Sequence, residues 1–160
     1  MTNQRYTNPE TPVMPLTNPE PAGTSVLLID GDDTDRVFYA NGLMNCSPDY
    51  LILQASDAKS GLDLYRQSQR VDCVVIDLAL PDRSGFGLLM DLLPIPSRPT
   101  VAVIVLTKVE NEGRWNLAKQ VGAYACFRKQ HTSFDDLDRA IQRAVAFVGL
   151  MPKEDRHRFL

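Results

Sequence analysis

The chain has 160 residues, 44% of them hydrophobic, and a formal net charge of -3. That length and apolar fraction suit one globular domain with a sizeable core, and the charge gives no electrostatic reason to expect nucleic acid or an anionic membrane surface as a direct partner. The 3 cysteines, Cys46, Cys73 and Cys126, are odd in number and widely spaced, which argues against a disulfide framework or a zinc site and for small core residues in a reducing compartment.

No stretch approaches the roughly 18 apolar residues of a membrane span, and no signal-type apolar run opens the chain, so a cytoplasmic protein without a membrane partner is expected. Residues 1–24 stand apart. Pro9, Pro12, Pro15, Pro19 and Pro21 interrupt a tract of Thr, Asn and Glu that cannot build a regular element, so this stretch is expected to be a disordered Pro-rich tail. Thr-Asn-Pro-Glu occurs at 7–10 and again at 17–20, an echo too short to be a repeat architecture.

From Thr24 onward, strand and helix patterns alternate. Val26 to Ile29 is an apolar run ending on Asp30, and Thr34 to Leu43 places Val37, Phe38, Ala40 and Leu43 at helical spacing. Tyr50 to Gln54 predicts a second strand, followed by a helix capped by Ser56 or Asp57 with Ala58, Leu62 and Tyr65 on one face. The run from Val71 to Asp77 has no polar alternation in its Cys, Val and Ile, as suits a strand buried on both faces of a parallel sheet. Pro81-Asp82-Arg83-Ser84-Gly85 is a turn cluster; Phe86 to Leu92 then predicts a helix closed by Pro94, Pro96 and Pro99. Val101 to Leu106 is a fourth strand, ending on Thr107 and Lys108. A helix over about Asn111 to Val121 ends at Gly122, and Ala125 to Arg128 is a fifth strand that delivers Lys129. Ser133 with Asp136 opens a last helix that turns Leu137, Ala140, Ile141, Ala144, Val145 and Val148 inward. Residues 149–160, with Arg156, His157 and Arg158, are expected to be a tail or linker, and no output domain is expected within the chain.

Strand and helix in regular alternation predict a three-layer α/β domain over residues 25–148: a doubly wound, five-stranded parallel sheet joined by right-handed crossovers. Its carboxyl edge, where such sheets place their chemistry, collects Asp30, Asp77, Thr107 and Lys129. A carboxylate nucleophile can accept a phosphoryl group from an anionic donor once a divalent cation and a fixed ammonium offset the charge. Asp77 and Asp30 are the candidate carboxylates, Lys129 the ammonium, and the Thr107 hydroxyl a donor to a phosphoryl oxygen. Magnesium prefers such oxygen ligands.

The chain from about Ser25 to Phe147 resembles the receiver domain of two-component response regulators, the CheY-like or flavodoxin-like fold. The resemblance rests on Val-Leu-Leu-Ile-Asp30 with Arg36 downstream, on Asp77 to Pro81 with Asp-Arg-Ser-Gly85, on Val-Ile-Val-Leu-Thr107, and on Gly122-Ala123 followed by Lys129. It implies the strand order 2-1-3-4-5, Asp77 as phosphoacceptor, Thr107 as the switch hydroxyl and Lys129 as the phosphoryl-contacting lysine. It further implies a magnesium ion on Asp30, Asp77 and the Ala79 carbonyl, and a histidine kinase or phosphotransfer protein as donor. A downstream protein partner, not identifiable from sequence, would read a changed surface of the fourth helix, fifth strand and fifth helix. A homodimer is among the assemblies left open.

The chain departs from the family pattern at several places. Gly31 stands where the second of two adjacent acids is usual, and a unit charge ~4 Å from a cation is worth up to ~4 kcal/mol at an effective dielectric near 20, so weak magnesium binding is expected. Asp32 or Asp33 is a substitute ligand from the loop. On the switch surface, Cys126 replaces an aromatic residue and Lys108 a small one, while Gln130 replaces a proline after the lysine. Ala79 and Val109 cannot orient a water by hydrogen bonding, so self-dephosphorylation should be slow and the domain is expected not to be an enzyme in the ordinary sense. Two alternatives stand beside this reading. One is a phosphorylation-independent pseudo-receiver acting as a protein-interaction module. The other, suggested by Asp30-Gly31-Asp32-Asp33-Thr34 with Thr107, Lys129 and Asp135-Asp136 as later motifs, is a phosphohydrolase of the haloacid dehalogenase type.

Overall fold

The computed structural model describes residues 23–150. The expectations for the Pro-rich stretch, apart from Gly23 and Thr24, and for residues 151–160 fall outside it. Five parallel strands, β1 (Ser25–Ile29), β2 (Leu51–Ala55), β3 (Cys73–Ile76), β4 (Ala102–Thr107) and β5 (Ala125–Arg128), alternate with five helices. These are α1 (Asp33–Cys46), α2 (Ala58–Gln67), α3 (Gly85–Leu92), α4 (Glu112–Val121) and α5 (Phe134–Gly149), and a short 3-10 turn at Lys129–His131 separates β5 from α5. The sheet order is β2-β1-β3-β4-β5, as the resemblance implied. No helix among the described residues is long and apolar enough to cross a membrane.

Local chemistry accounts for the boundaries. Asp32, Asp57, Asn111 and Ser133 each cap a helix by accepting from the backbone N–H three residues on, which satisfies an amide that has no partner within the helix. Gly122 ends α4 in the left-handed region at φ 116°, where a side chain would be strained. The central strands β1, β3 and β4 are buried along their whole length, so their continuous apolar runs serve two cores. Val26, Leu28, Cys73, Val75, Ala102 and Ile104 face α1 and α5, and Leu27, Ile29, Val74, Ile76, Val103 and Val105 face α2, α3 and α4.

Two expectations need correction. In α1 the inward residues are Tyr39, Ala40 and Leu43, whereas Val37 and Phe38 are 48% and 56% exposed. With both neighbours of the stripe apolar, periodicity alone could not choose the phase; the cap at Asp32 and packing on α5 do. Phe38 lies against Tyr39 and Phe134, ring centroids 5.3 and 4.9 Å away. Among the cysteines only Cys73 is a core residue. Cys46 and Cys126 are half-buried, and all three thiols are free.

Candidate functional site

The register of the sheet brings the site together. Ile29 of β1 is paired with Ala55 of β2 and Ile76 of β3, so Asp30 and Asp77 leave adjacent strands at the same level. The pairing continues past the strands: Asp77 N donates to Ile29 O at 2.9 Å and Asp30 N to Ala55 O at 3.1 Å. On the other side of β3, Thr107 is paired with Arg128, which places Lys129 one residue past the ladder. Asp30, Asp77, Thr107 and Lys129 are all buried.

Lys129 is the centre of the cluster. Its ammonium, 3% exposed, lies 2.7 Å from Asp30 Oδ2, 2.8 Å from Asp77 Oδ2 and 2.9 Å from Asp35 Oδ2. Burial works against its charge, but the hydrogen bonds it donates to Asp30, Asp77 and Asp35 outweigh burial and hold its pKa above the usual lysine range. Burial raises the Asp30 carboxyl, against the opposing pull of Lys129 and the Asp32 amide. The Tyr39 hydroxyl of α1 donates to the Lys129 carbonyl at 2.6 Å and so anchors the backbone from which the ammonium reaches.

Asp77 is held from three directions. Its Oδ1 accepts from Thr107 Oγ1 at 2.8 Å and from the Ala79 amide at 3.0 Å, while Oδ2 faces Lys129. Thr107 Oγ1 also accepts from Val109 N at 3.3 Å, and Trp115 Nε1 of α4 donates to the Val109 carbonyl at 3.0 Å. A hydrogen-bonded path therefore runs from Asp77 through the β4–α4 loop to α4. Cys126 sits at the end of that helix face; its thiol, pushed up to about 11 by burial, donates to the Trp115 carbonyl at 3.7 Å.

The turn after β3 explains its own residue types. Asp82 accepts from the amides of Ala58, Lys59 and Arg83, and the first of these contacts leads in holding its carboxyl below the usual range. This ties the loop to the start of α2. Gly85 passes so close that a Cβ there would lie 2.6 Å from Leu78 Cα and 2.7 Å from Asp77 O, so any larger residue would displace the chain that carries Asp77.

Asp35 is the site residue that sequence reasoning missed. It lies in the first turn of α1 and donates its backbone amide to Asp32 Oδ1. Its sequence context gives no distinguishing signal, because an acid three residues after the Asp32 cap has an ordinary first-turn explanation in the helix dipole. Asp35 Oδ2 contacts Lys108 Nζ at 3.0 Å as well as Lys129. Burial opposes its charge, but the hydrogen bonds from Lys129 and Lys108 hold its carboxyl below the usual range.

Asp32 and Asp33, the expected substitutes from the loop, are otherwise engaged. Asp32 Oδ1 caps α1, and Asp33 pairs with Arg36 at 2.6 Å. Arg36 in turn donates to the Asp30 carbonyl at 2.8 Å. The phosphohydrolase alternative loses the last of its later motifs, because Asp135 and Asp136 lie in the first turn of α5 and contact Cys46 and Arg139 rather than the site.

The response regulator receiver domain model matches residues 26–142. The chain belongs to that family. Among curated relatives of this receiver domain, the Two-component response regulator-like APRR7 of Arabidopsis thaliana is 30% identical over 89 residues, 55% of the chain and 12% of the relative. The Two-component response regulator ARR2 of the same plant is 36% identical over 73 residues, 45% of the chain and 11% of the relative. The chain therefore spans about a ninth of the length of these relatives. A response regulator receiver domain protein from Clostridium thermocellum superposes with a TM-score of 0.67 at 26% identity, covering 79% of this chain and 98% of that one. A CheY-like receiver domain protein from Methanospirillum hungatei gives 0.70 at 21% identity, covering 80% and 98%. Receiver domains are signalling domains rather than conventional enzymes; in general they bind Mg2+ at the acidic site and interact with histidine kinases or phosphotransfer proteins.

Proposed function

We propose that this receiver domain accepts a phosphoryl group on Asp77 from a histidine kinase or phosphotransfer protein and signals through a changed protein-binding surface. The observation that carries the reading is the buried triad in which Asp77 Oδ1 accepts from Thr107 and the Ala79 amide while Oδ2 lies 2.8 Å from Lys129 Nζ. These contacts fix the carboxylate plane and leave Oδ2, on the Lys129 side, as the attacking atom. As the O–P bond forms, the bond from phosphorus to the donor imidazole nitrogen breaks. That nitrogen keeps the electron pair and takes up a proton. Lys129 then transfers its contact from the carboxylate to a phosphoryl oxygen, and Thr107 Oγ1 can rotate from Asp77 to a second one, which removes the anchor of Val109 N and loosens the loop that Trp115 holds.

The donor set fits a magnesium ion with fewer charges than the family pattern supplies. Asp30, Asp77 and the Ala79 carbonyl would hold it, and magnesium commonly binds through one or two carboxylates with waters. When bound, it offsets charge between the acidic site and the phosphoryl oxygens. Position 31 adds nothing: a Cβ there would meet Pro81 Cδ at 2.9 Å. Two carboxylates and one carbonyl supply fewer charges than the family pattern, and that supports weak binding.

The proposal extends to a domain of residues 25–148 in a cytoplasmic signalling protein, with the α4, β5 and α5 face, including Lys108 and Cys126, as the surface read by an unidentified downstream protein or a second copy. Self-dephosphorylation should be slow, since neither Ala79 nor Val109 can position a water. A second reading, the pseudo-receiver, is favoured by two features: Lys129 is already matched by three carboxylates, and the flank of Gly31 is filled by Pro81. Incubation with magnesium and acetyl phosphate, read by intact mass, separates the two. A phosphoryl adduct that disappears in Asp77→Asn supports phosphoacceptance; no adduct at any magnesium concentration in folded protein leaves the pseudo-receiver.

A further inference from the structure

Two ammonium groups share one carboxylate oxygen at the edge of the site. Asp35 Oδ2 lies 2.9 Å from Lys129 Nζ and 3.0 Å from Lys108 Nζ. The two lysines differ in burial: the Lys129 side chain is 3% exposed and the Lys108 side chain 53%. Lys129 is therefore locked among three carboxylates, whereas Lys108 sits at the mouth of the site with solvent on one side. Lys108 also follows Thr107 directly in the chain, and the Thr107 hydroxyl is 2.8 Å from Asp77 Oδ1.

The charges around Asp77 do not balance for an added phosphoryl group. Asp30, Asp35 and Asp77 face Lys108 and Lys129, which leaves one net negative charge. Conversion of the Asp77 carboxylate to an acyl phosphate replaces one negative charge with nearly two. Position 31 carries no carboxylate with which to hold a divalent cation strongly. A further cation would offset this charge; Arg36 is engaged with the Asp30 carbonyl and Asp33, whereas Lys108 is held only at the exposed edge of the cluster, on Asp35. Its departure from Asp35 leaves no orphaned charge, because Asp35 keeps Lys129 as a partner. Its exposed ammonium loses little hydration on moving, and a dianion attracts it more strongly than the carboxylate it leaves.

Resting on the phosphoacceptor reading, we propose that Lys108 is a catalytic residue, a mobile second ammonium that passes from Asp35 to the phosphoryl oxygens on Asp77 and lowers the magnesium requirement of phosphorylation. Asp35 is the positioning residue that parks it at the mouth. With acetyl phosphate as donor, Asp77 Oδ2 bonds to phosphorus as the bond from phosphorus to the acetyl oxygen breaks. Acetate leaves with the electron pair, and the dianionic phosphoryl group is held between Lys129 and Lys108.

The test measures adduct formation by intact mass across a magnesium titration for the unaltered protein, Lys108→Ala and Lys108→Arg, followed by adduct lifetime after chelation of the metal. Lys108 is exposed, so its substitution should leave the fold intact, and a circular dichroism melt of each variant checks this. The magnesium concentration for half-maximal adduct should rise about 10-fold in Lys108→Ala, the size expected of one charge-assisted contact. The adduct should decay faster after chelation in that variant, and Lys108→Arg should restore both. Equal magnesium requirement and equal lifetime in Lys108→Ala would overturn the inference while leaving Asp77 as phosphoacceptor. Absence of any adduct in the unaltered protein would overturn both.

Discussion

Replacing Lys129 by Met keeps an unbranched side chain one heavy atom shorter and removes its charge. The ammonium is 3% exposed, with carboxylate oxygens of Asp30, Asp77 and Asp35 at 2.7, 2.8 and 2.9 Å. Removing one partner of a buried ion pair costs ~3–5 kcal/mol, because the charge left behind loses its partner without regaining water. Here Asp30 and Asp77 are the charges left behind, their side chains 2% and 8% exposed. With a urea slope of about 1.5 kcal/mol/M, the unfolding midpoint should fall by about 2–3 M at neutral pH. The sign of the pH dependence follows from Asp30. Burial already raises its carboxyl above 3.8, and Lys129 is the main influence lowering it, so the variant raises it further. A carboxyl whose folded pKa exceeds its unfolded value contributes stability that is present below the unfolded value and lost as pH rises through the folded one. The penalty of Lys129→Met should therefore shrink as pH falls from neutral toward the ordinary aspartate range, and adding Asp30→Asn should recover part of it at neutral pH. Urea unfolding followed by circular dichroism at the two pH values measures this. A midpoint equal to that of the unaltered protein at neutral pH, or a penalty that does not shrink on acidification, would refute the reasoning.

The other expectations concern the acid that is absent, the loop that is tied, and the two residues whose tests are given above. Gly31→Asp should tighten Mg2+ binding by at least ~10-fold in a calorimetric titration, since a carboxylate ~4 Å from the ion contributes up to ~4 kcal/mol at an effective dielectric near 20; a contact with Pro81 Cδ at 2.9 Å from the new Cβ takes back part of that. Unchanged affinity would mean that the missing acid is not what weakens the site. Trp115→Phe keeps the ring in its packing and removes the donor to the Val109 carbonyl. Its unfolding free energy should drop by about 1 kcal/mol, and no change would remove the indole from the path to α4. Asp77→Asn should abolish the phosphoryl adduct, and Lys108→Ala should raise the magnesium requirement about 10-fold.

What the sequence determined by itself was the order of elements and the strand-end chemistry. The runs Val26 to Ile29, Val71 to Asp77 and Val101 to Leu106 lack polar alternation, and only a parallel sheet covered on both faces buries such strands completely. Each run ends on a polar residue, so Asp30, Asp77 and Thr107 were legible as one edge before any contact was known, and Lys129 followed from the short fifth strand. The caps were legible too, because Asp57 and Ser133 are residue types with a local reason to stop a strand or start a helix. The phase of α1 was not. Val37, Phe38 and Tyr39 are adjacent apolar residues, and the choice between them is made by α5, which packs beside α1 on the same face of the sheet. Nor could pattern reveal Asp35: an acid in the first turn of a helix has an ordinary dipole explanation. Only the folded chain sets it 2.9 Å from an ammonium that arrives from 94 residues later. Tertiary structure also decided the consequence of Gly31, because the space beside it is occupied by Pro81, which reaches it from the loop after β3. Local periodicity is a property of a few neighbouring residues, whereas charge balance at a sheet edge depends on groups that only the crossovers bring together.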